Sequence, residues 1–235
     1  MTDGGRRAVV RQALSVATAT GLYGVSFGAL SVAAGLDVWQ TAALSLLMFT
    51  GGSQFAFVGV LGAGGAGVAA VGTAALLGAR NALYGAAMAP LLRATGARRL
   101  AAAHVTIDES TAVATAQRTP ELARTGFWWT GVGVFVLWNA FTLLGALVGN
   151  AIGDPRRWGL DAAAAAAFLA LLWPRLAAGR ATRLVAVGAV VVALALTPVA
   201  PAGIPVLAAA AVAVAVGWRA PGPALGRASG TAGRA

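Results

Sequence analysis

Residues Phe127 to Ile152 read FWWTGVGVFVLWNAFTLLGALVGNAI, twenty-six positions without one acidic or basic side chain. A helix needs ~20 apolar residues to cross a bilayer, and ~17–25 when tilt is allowed. This run qualifies, and so do most of its neighbours on either side. Upstream lie 13–34, 38–62, 66–92 and 100–117; downstream lie 159–176, 181–198 and 202–218. The chain of 235 residues is 59% hydrophobic and only 10% charged. Its mean hydropathy is +0.79. A soluble domain usually carries about 25% charged residues, so an ordinary soluble globule is excluded, and so is intrinsic disorder. The expected fold is all-α, a polytopic transmembrane helical bundle with seven or eight membrane segments. Residues 1–218 form its single transmembrane domain, and 219–235, rich in Gly, Pro, Ala and Arg, read as a disordered cytoplasmic tail.

All 17 basic residues are arginine and the formal net charge is +10. They fall mostly between apolar runs, where they act as cytoplasmic retention signals. No aromatic-interleaved basic patch accompanies them, so nucleic acid is not an expected partner; the lipid bilayer is. Arg6, Arg7 and Arg11 precede a first run too long for a cleaved signal peptide, which predicts a retained helix with a cytoplasmic amino terminus. Trp39, Trp128, Trp129, Trp158 and Trp218 sit near segment ends, as an interfacial belt requires. Trp138 and Trp173 do not, and helix packing accounts for them.

Enzyme chemistry finds no foothold. There is no cysteine, so no thiol nucleophile or thiolate metal site. One histidine cannot build a zinc centre, and HExxH, G-x-S-x-G, Walker and dinucleotide-binding fingerprints are missing. No cofactor is expected.

Two features resist a simple picture of eight crossings. In 100–117, Asp108 and Glu109 together cost ~5–7 kcal/mol at a helix centre, while Leu100, Val105, Ile107 and Val113 return only about 2 kcal/mol. This segment must pack beside polar partners or dip in as a re-entrant piece. Eight crossings also place Arg93, Arg98 and Arg99 outside, against the positive-inside rule. One escape is that 100–117 does not cross and an extra broken crossing precedes Arg93. Glycines crowd the candidate region, at 51, 52, 59, 62, 64, 65 and 67 and then 72, 78 and 85. They serve either close helix packing or a discontinuous helix whose exposed amides and carbonyls bind substrate.

Three polar clusters interrupt the apolar sequence. Gly51-Gly52-Ser53-Gln54-Phe55 offers a hydroxyl and an amide, for a ligand or for bonding between helices. Arg80-Asn81-Ala82-Leu83-Tyr84-Gly85 holds an arginine too deep to snorkel; it needs a carboxylate, carbonyls, water or an anionic ligand. The third is His104 to Thr111, with Asp108 and Glu109; on one continuous helix His104 and Asp108 would share a face.

These clusters, in this order and spacing, resemble the AzlC/YgaZ family of branched-chain amino-acid permeases. That family shows G-A-S-Q-F, then N-x-R-H-x-x-Y-G running into A-P-L-L, then D-E-[ST]. Here they stand as Gly51–Phe55, as Gly78–Gly85 followed by Ala89-Pro90-Leu91-Leu92, and as Asp108–Ser110. Trp138-Asn139 with Leu143-Leu144-Gly145, and Gly159-Leu160-Asp161, also look like the family. The family's asparagine and histidine beside the arginine are replaced by Gly78 and Asn81, so the histidine's role does not carry over.

The resemblance implies an exporter of valine, leucine, isoleucine and also methionine in a bacterial cytoplasmic (inner) membrane. It implies coupling to the proton motive force and a small AzlD/YgaH-like membrane partner. The substrate site expected from the clusters comprises Gly51, Gly52, Ser53, Gln54, Phe55, Arg80, Asn81, Tyr84, Asp108 and Glu109. A substrate ammonium would meet Asp108 or Glu109; its carboxylate would meet Arg80 or amides near Gly51–Ser53; its aliphatic part would rest on Phe55, Phe57 or Leu83. Because withdrawal from water makes a carboxylate hold its proton more tightly, Asp108 and Glu109, with His104, are the candidates for proton coupling. A non-transporting scaffold or accessory subunit is the alternative.

Overall fold

A computed structural model describes residues 3–152 and 179–219, together with Arg157, Gly159, Ala162, Leu169, Leu172, Trp173, Leu176 and Ala177. Nine helices stand among the described residues, with no strand: α1 (Asp3–Ala33), α2 (Val38–Leu47), α3 (Gly52–Gly62), α4 (Gly67–Leu92), α5 (Gly96–His104), α6 (Asp108–Thr115), α7 (Pro120–Ile152), α8 (Arg180–Leu196) and α9 (Ile204–Arg219). Of these, α1 and α7 are long and apolar enough to cross a membrane.

The frame is the pairing of α1 with α7, and glycine makes it possible. Gly24 and Gly28 on α1, and Gly145 and Gly149 on α7, form two small-xxx-small patches. A Cβ on Gly24 would lie 2.8 Å from the Trp138 carbonyl oxygen, and one on Gly149 3.0 Å from the Ala29 Cα. Cβ atoms on Gly28 and Gly145 would run into the backbone of Thr142 and Val25. Backbones this close maximise van der Waals contact. Residue numbers rise together along the seam, from Val9 beside Gly126 to Ala29 beside Gly149, so the two helices are parallel. α1 begins ten residues before its apolar run because Val9, Ala13 and Ala17 are buried, while Arg6, Arg7 and Arg11 stay exposed on the other faces. The end holding these arginines is called the near end below.

The run 38–62 is not one helix. Asp37 caps α2, accepting from the Gln40 amide at 2.8 Å while Gln40 Oε1 accepts from the Asp37 amide at 2.9 Å. Ser31 and Thr41 hydroxyls, 2.8 Å apart, pin this start to the far end of α1. The helix stops at Met48, Gly51 turns the chain with φ +58°, and α3 begins. α3 then leads back to the far end, where a Gly62 Cβ would lie 3.3 Å from the Ala34 Cβ. Gln54 Nε2 clamps the two arms, donating to the Leu44 and Ser45 carbonyls at 3.1 and 3.4 Å. Residues 38–62 therefore form a hairpin that enters from the far end and returns to it.

α4 runs the whole way to the near end, uninterrupted by Gly72, Gly78 or Gly85. There the Arg124 Nε donates to the Leu91 carbonyl at 2.8 Å. The weak run 100–117 is again two half-helices. α5 rises from the near end and stops at His104; Val105–Ile107 form the tip; α6 returns. Ser110 Oγ holds the tip, donating to the Val105 carbonyl at 2.8 Å and accepting the Ile107 amide at 3.0 Å. Gln117 Nε2 reaches Gln12 Oε1 at 3.2 Å, at the near end.

A unit of one long helix and one hairpin thus occurs twice in opposite orientation: α1 with α2–α3, then α4 with α5–α6. α8 and α9 pack antiparallel, and their connection lies at the far end, where a Gly203 Cβ would lie 3.0 Å from Ala69 and 3.1 Å from Val60.

This resolves the arginine anomaly by a different route from the one expected. Segment 100–117 indeed does not traverse the bundle. No extra crossing precedes Arg93; instead 38–62 does not traverse either, and both hairpins turn back. Arg93, Arg98 and Arg99 consequently lie at the near end with Arg6, Arg7, Arg11, Arg118 and Arg124. The expected face shared by His104 and Asp108 is also corrected, because the helix breaks between them. Trp138 is buried as packing requires, whereas Trp173 is 64% exposed. Segment 159–176, apart from the few residues named, and the tail beyond Arg219 lie outside the described residues.

Candidate functional site

The two hairpin tips meet at mid-height beside α4. Gly78 lets α3 approach, since a Cβ there would sit 3.2 Å from Ser53 Oγ. Two residues on, Arg80 Nη2 lies 2.8 Å from Asp108 Oδ2. The same nitrogen donates to the Thr50 carbonyl at 3.5 Å. One guanidinium therefore ties the first tip to the start of the second hairpin's returning arm. Arginine and aspartate are 23% and 17% exposed, so the pair is largely withdrawn from solvent.

Four helix ends converge here. α2 and α5 end at the tips, where Gln54 and Thr106 side chains take several of their last carbonyls, and α3 and α6 begin there with first-turn amides that lack a carbonyl one turn back. The first residues of α3, Gly52 and Ser53, follow a cap with no side-chain acceptor. The first residues of α6 are Asp108 and Glu109, placed where a helix dipole favours negative charge. Glu109 faces Arg80, Asp108 and the Thr20 side chain of α1.

Around this charged centre stand two aromatic groups. Tyr23, Phe27, Phe55 and Trp138 form one: the Tyr23–Phe55 centroids are 4.8 Å apart, and Trp138 stacks on Phe27 at 5.9 Å. Phe49, His104 and Phe135 form the other, with His104 5.4 Å from Phe135. Several buried polar atoms nearby have no hydrogen-bond partner within the protein: Ser53 Oγ, Arg80 Nε, Asn81 Oδ1, Thr111 Oγ1, Trp138 Nε1 and Asn139 Oδ1. Buried polar groups are normally satisfied, and this many in one region marks a place able to receive a polar ligand.

Of the expected site residues, Gly51, Gly52, Ser53, Arg80, Asp108 and Glu109 come together. Asn81 follows Arg80 and is half-buried, as is Tyr84 one turn on. Phe55 belongs to the first aromatic group. The Gln54 side-chain amide nitrogen is spent inside its own hairpin. His104 is exposed against Phe49 and Phe135, away from the carboxylates' helix. Leu83 is 72% exposed on the outside of the bundle and offers no inner wall. The sequence reading missed the Thr50 carbonyl, Thr20, Tyr23 and Asn139, none of which belongs to a charged cluster. Trp138-Asn139 was the one signal available, as an isolated aromatic and amide within an apolar run.

A family model described as AzlC protein matches residues 15–152. The chain belongs to the AzlC family. No curated protein and no solved structure matches it. The AzlC family is associated with branched-chain amino-acid transport and is a transporter-type family, not an enzyme family. Both hairpins, Arg80, Asp108 and the aromatic groups all fall inside the stretch that makes this chain an AzlC protein.

Proposed function

We propose that this AzlC protein is a secondary transporter that exports valine, leucine, isoleucine and methionine across a bacterial cytoplasmic membrane. Its substrate site is the junction of the two hairpin tips. The observation that carries the reading is the Arg80–Asp108 pair held at mid-height between two half-helix starts. A zwitterion is complementary to such a pair. Its carboxylate takes Arg80 and the amides of Gly52 and Ser53; its ammonium takes Asp108 and Glu109. Discontinuous helices are the usual means of placing backbone charge at membrane depth. The aliphatic side chain rests against Phe55, Tyr23 and Trp138.

Two carboxylates face one guanidinium, which leaves one negative charge over. A proton taken up by Glu109 or Asp108 on one side and released on the other would couple export to the proton motive force; His104 is the remaining titratable candidate. In this reading residues 1–218 form one polytopic transmembrane domain. α1, α4, α7, α8 and α9 cross the bilayer, the hairpins enter from opposite faces, and the near end is cytoplasmic. The arginine distribution supports that orientation. A small AzlD/YgaH-like subunit works beside it.

The test is the intracellular level of valine and leucine in deletion cells fed with leucine- or isoleucine-containing dipeptides. Accumulation that is relieved by the wild-type chain, and not by D108N, E109Q or R80Q at equal membrane abundance, supports the proposal. Equal relief by all three removes these residues from the mechanism, and no substrate-specific accumulation makes the chain a scaffold.

A further inference from the structure

We infer that the amino-terminal groove of this protein is a binding site for an anionic phospholipid of the cytoplasmic leaflet. The inference rests on the membrane orientation proposed above but not on the transport mechanism. A groove of about 660 Å³ lies between the outer face of α1 and α7, lined by Arg6, Arg7, Arg11, Leu14, Thr18 and Trp129 among others. No acidic side chain lines it. At its head three arginines project from two successive turns of one helix, all exposed. Below them Val10, Leu14 and Trp129, the last two 43% and 44% exposed, supply an apolar wall beside the small hydroxyls of Ser15 and Thr18. Further along the same helices Leu22, Val132 and Val136 continue an exposed apolar surface, 51%, 46% and 57% accessible.

The order of these groups along the groove decides the ligand class. Three guanidiniums suit a phosphate diester, which they bind in bidentate fashion. A free phosphate would use only the head and leave Leu14 and Trp129 idle. A phospholipid uses both halves, its phosphate on the arginines and an acyl chain along the apolar wall. Basic pockets between helices on the cytoplasmic side bind lipid head groups in this manner. The site lies outside the bundle, away from Arg80 and Asp108, and shares no residue with the substrate site.

Each arginine near an anionic surface is worth about fivefold in affinity, so losing three reduces binding roughly a hundredfold. The full chain, purified in mild detergent, is titrated with phosphatidylglycerol and with phosphatidylcholine of the same acyl chains, and bound lipid is counted by native mass spectrometry. The expected result is a retained phosphatidylglycerol adduct, not displaced by millimolar inorganic phosphate, and no matching phosphatidylcholine adduct. The R6Q/R7Q/R11Q variant should lose the adduct, and R6K/R7K/R11K, which preserves charge and orientation but not the bidentate fork, should keep a weakened one. W129S should weaken it several-fold. R93Q/R98Q/R99Q removes the same charge elsewhere and should change nothing. Equal retention of both lipids, displacement by phosphate, or equal loss in the two Gln triples overturns the proposal, the last because it reduces the effect to the net charge of +10.

Discussion

Replacing Asp108 by Asn and replacing Arg80 by Gln should each destabilise the protein, and combining the two should cost less than the sum of the single losses. In D108N the guanidinium loses its 2.8 Å ion pair and keeps the 3.5 Å bond to the Thr50 carbonyl and the charge of Glu109, with its Nε already without a protein partner. Removing one partner of a fully buried pair costs about 3–5 kcal/mol. Exposures of 23% and 17% reduce this through solvent screening to about 2–3 kcal/mol. In R80Q the stranded groups are two neighbouring carboxylates, Asp108 and Glu109, in the first turn of α6. The helix dipole returns about 0.5–1 kcal/mol there, and an acid can take up a proton, which an arginine cannot relinquish. R80Q should therefore cost about 1–2 kcal/mol. The double variant leaves two neutral amides side by side with Glu109 as the one charge beside them, so the coupling energy between positions 80 and 108 should be about 1–2 kcal/mol. Reversible denaturant unfolding of the four proteins in one detergent measures it. Additivity of the two single effects within about 0.5 kcal/mol, the behaviour of independent sites, would refute the pairing.

Three further outcomes follow from the packing and topology. Gly28→Val and Gly145→Val drive side chains into the facing backbone and should each cost more than about 3 kcal/mol. Gly72→Ala, with nothing within 4 Å of its Cβ position, should be neutral or stabilise by roughly 0.5 kcal/mol; thermal unfolding distinguishes the two groups. Gly51→Ala places a side chain at φ +58°, and a loss of about 1–2 kcal/mol is expected on the same scale, accompanied by weakened leucine export because the tip must move. Since the chain has no cysteine, single cysteines at Thr95 and Thr119 should react with an impermeant maleimide only from the cytoplasmic face, and cysteines at Gly35 and Gly64 only from the outer face. Labelling of Thr95→Cys from outside would restore a topology in which 38–62 crosses.

Helices were legible in the sequence because long apolar runs have few other solutions in a bilayer, and 127–152 is found within α7. The insertion cost of Asp108 and Glu109 correctly marked 100–117 as unable to span. What the sequence did not disclose is that 38–62 turns back as well. Hydropathy sums over a window and is blind to direction, and Met48 to Gly51 carry no charge to betray a break. The fold of that run is set by a positive φ at Gly51, the Asp37–Gln40 cap and the Gln54 clamp, which are local geometry. The pairing of Arg80 with Asp108 was one of the alternatives open to a buried arginine, and choosing among them required the tips to be placed. The α1–α7 seam is written in two G-x-x-x-G patterns, 24–28 and 145–149, but such patterns do not name the helix they pack against. His104 misled for the opposite reason, since helical spacing presumes a helix that the tip interrupts.

A site that reads both charges of an amino acid is tested most directly by competition in leucine flux. In cells or proteoliposomes carrying the active protein, excess valine should suppress labelled leucine flux. Isocaproate, which lacks the ammonium, and isopentylamine, which lacks the carboxylate, should each leave it nearly unchanged, and the D108N/R80Q protein should be folded and inactive. Suppression by either analogue to the same degree as valine, or flux undiminished in the folded double variant, would contradict the account.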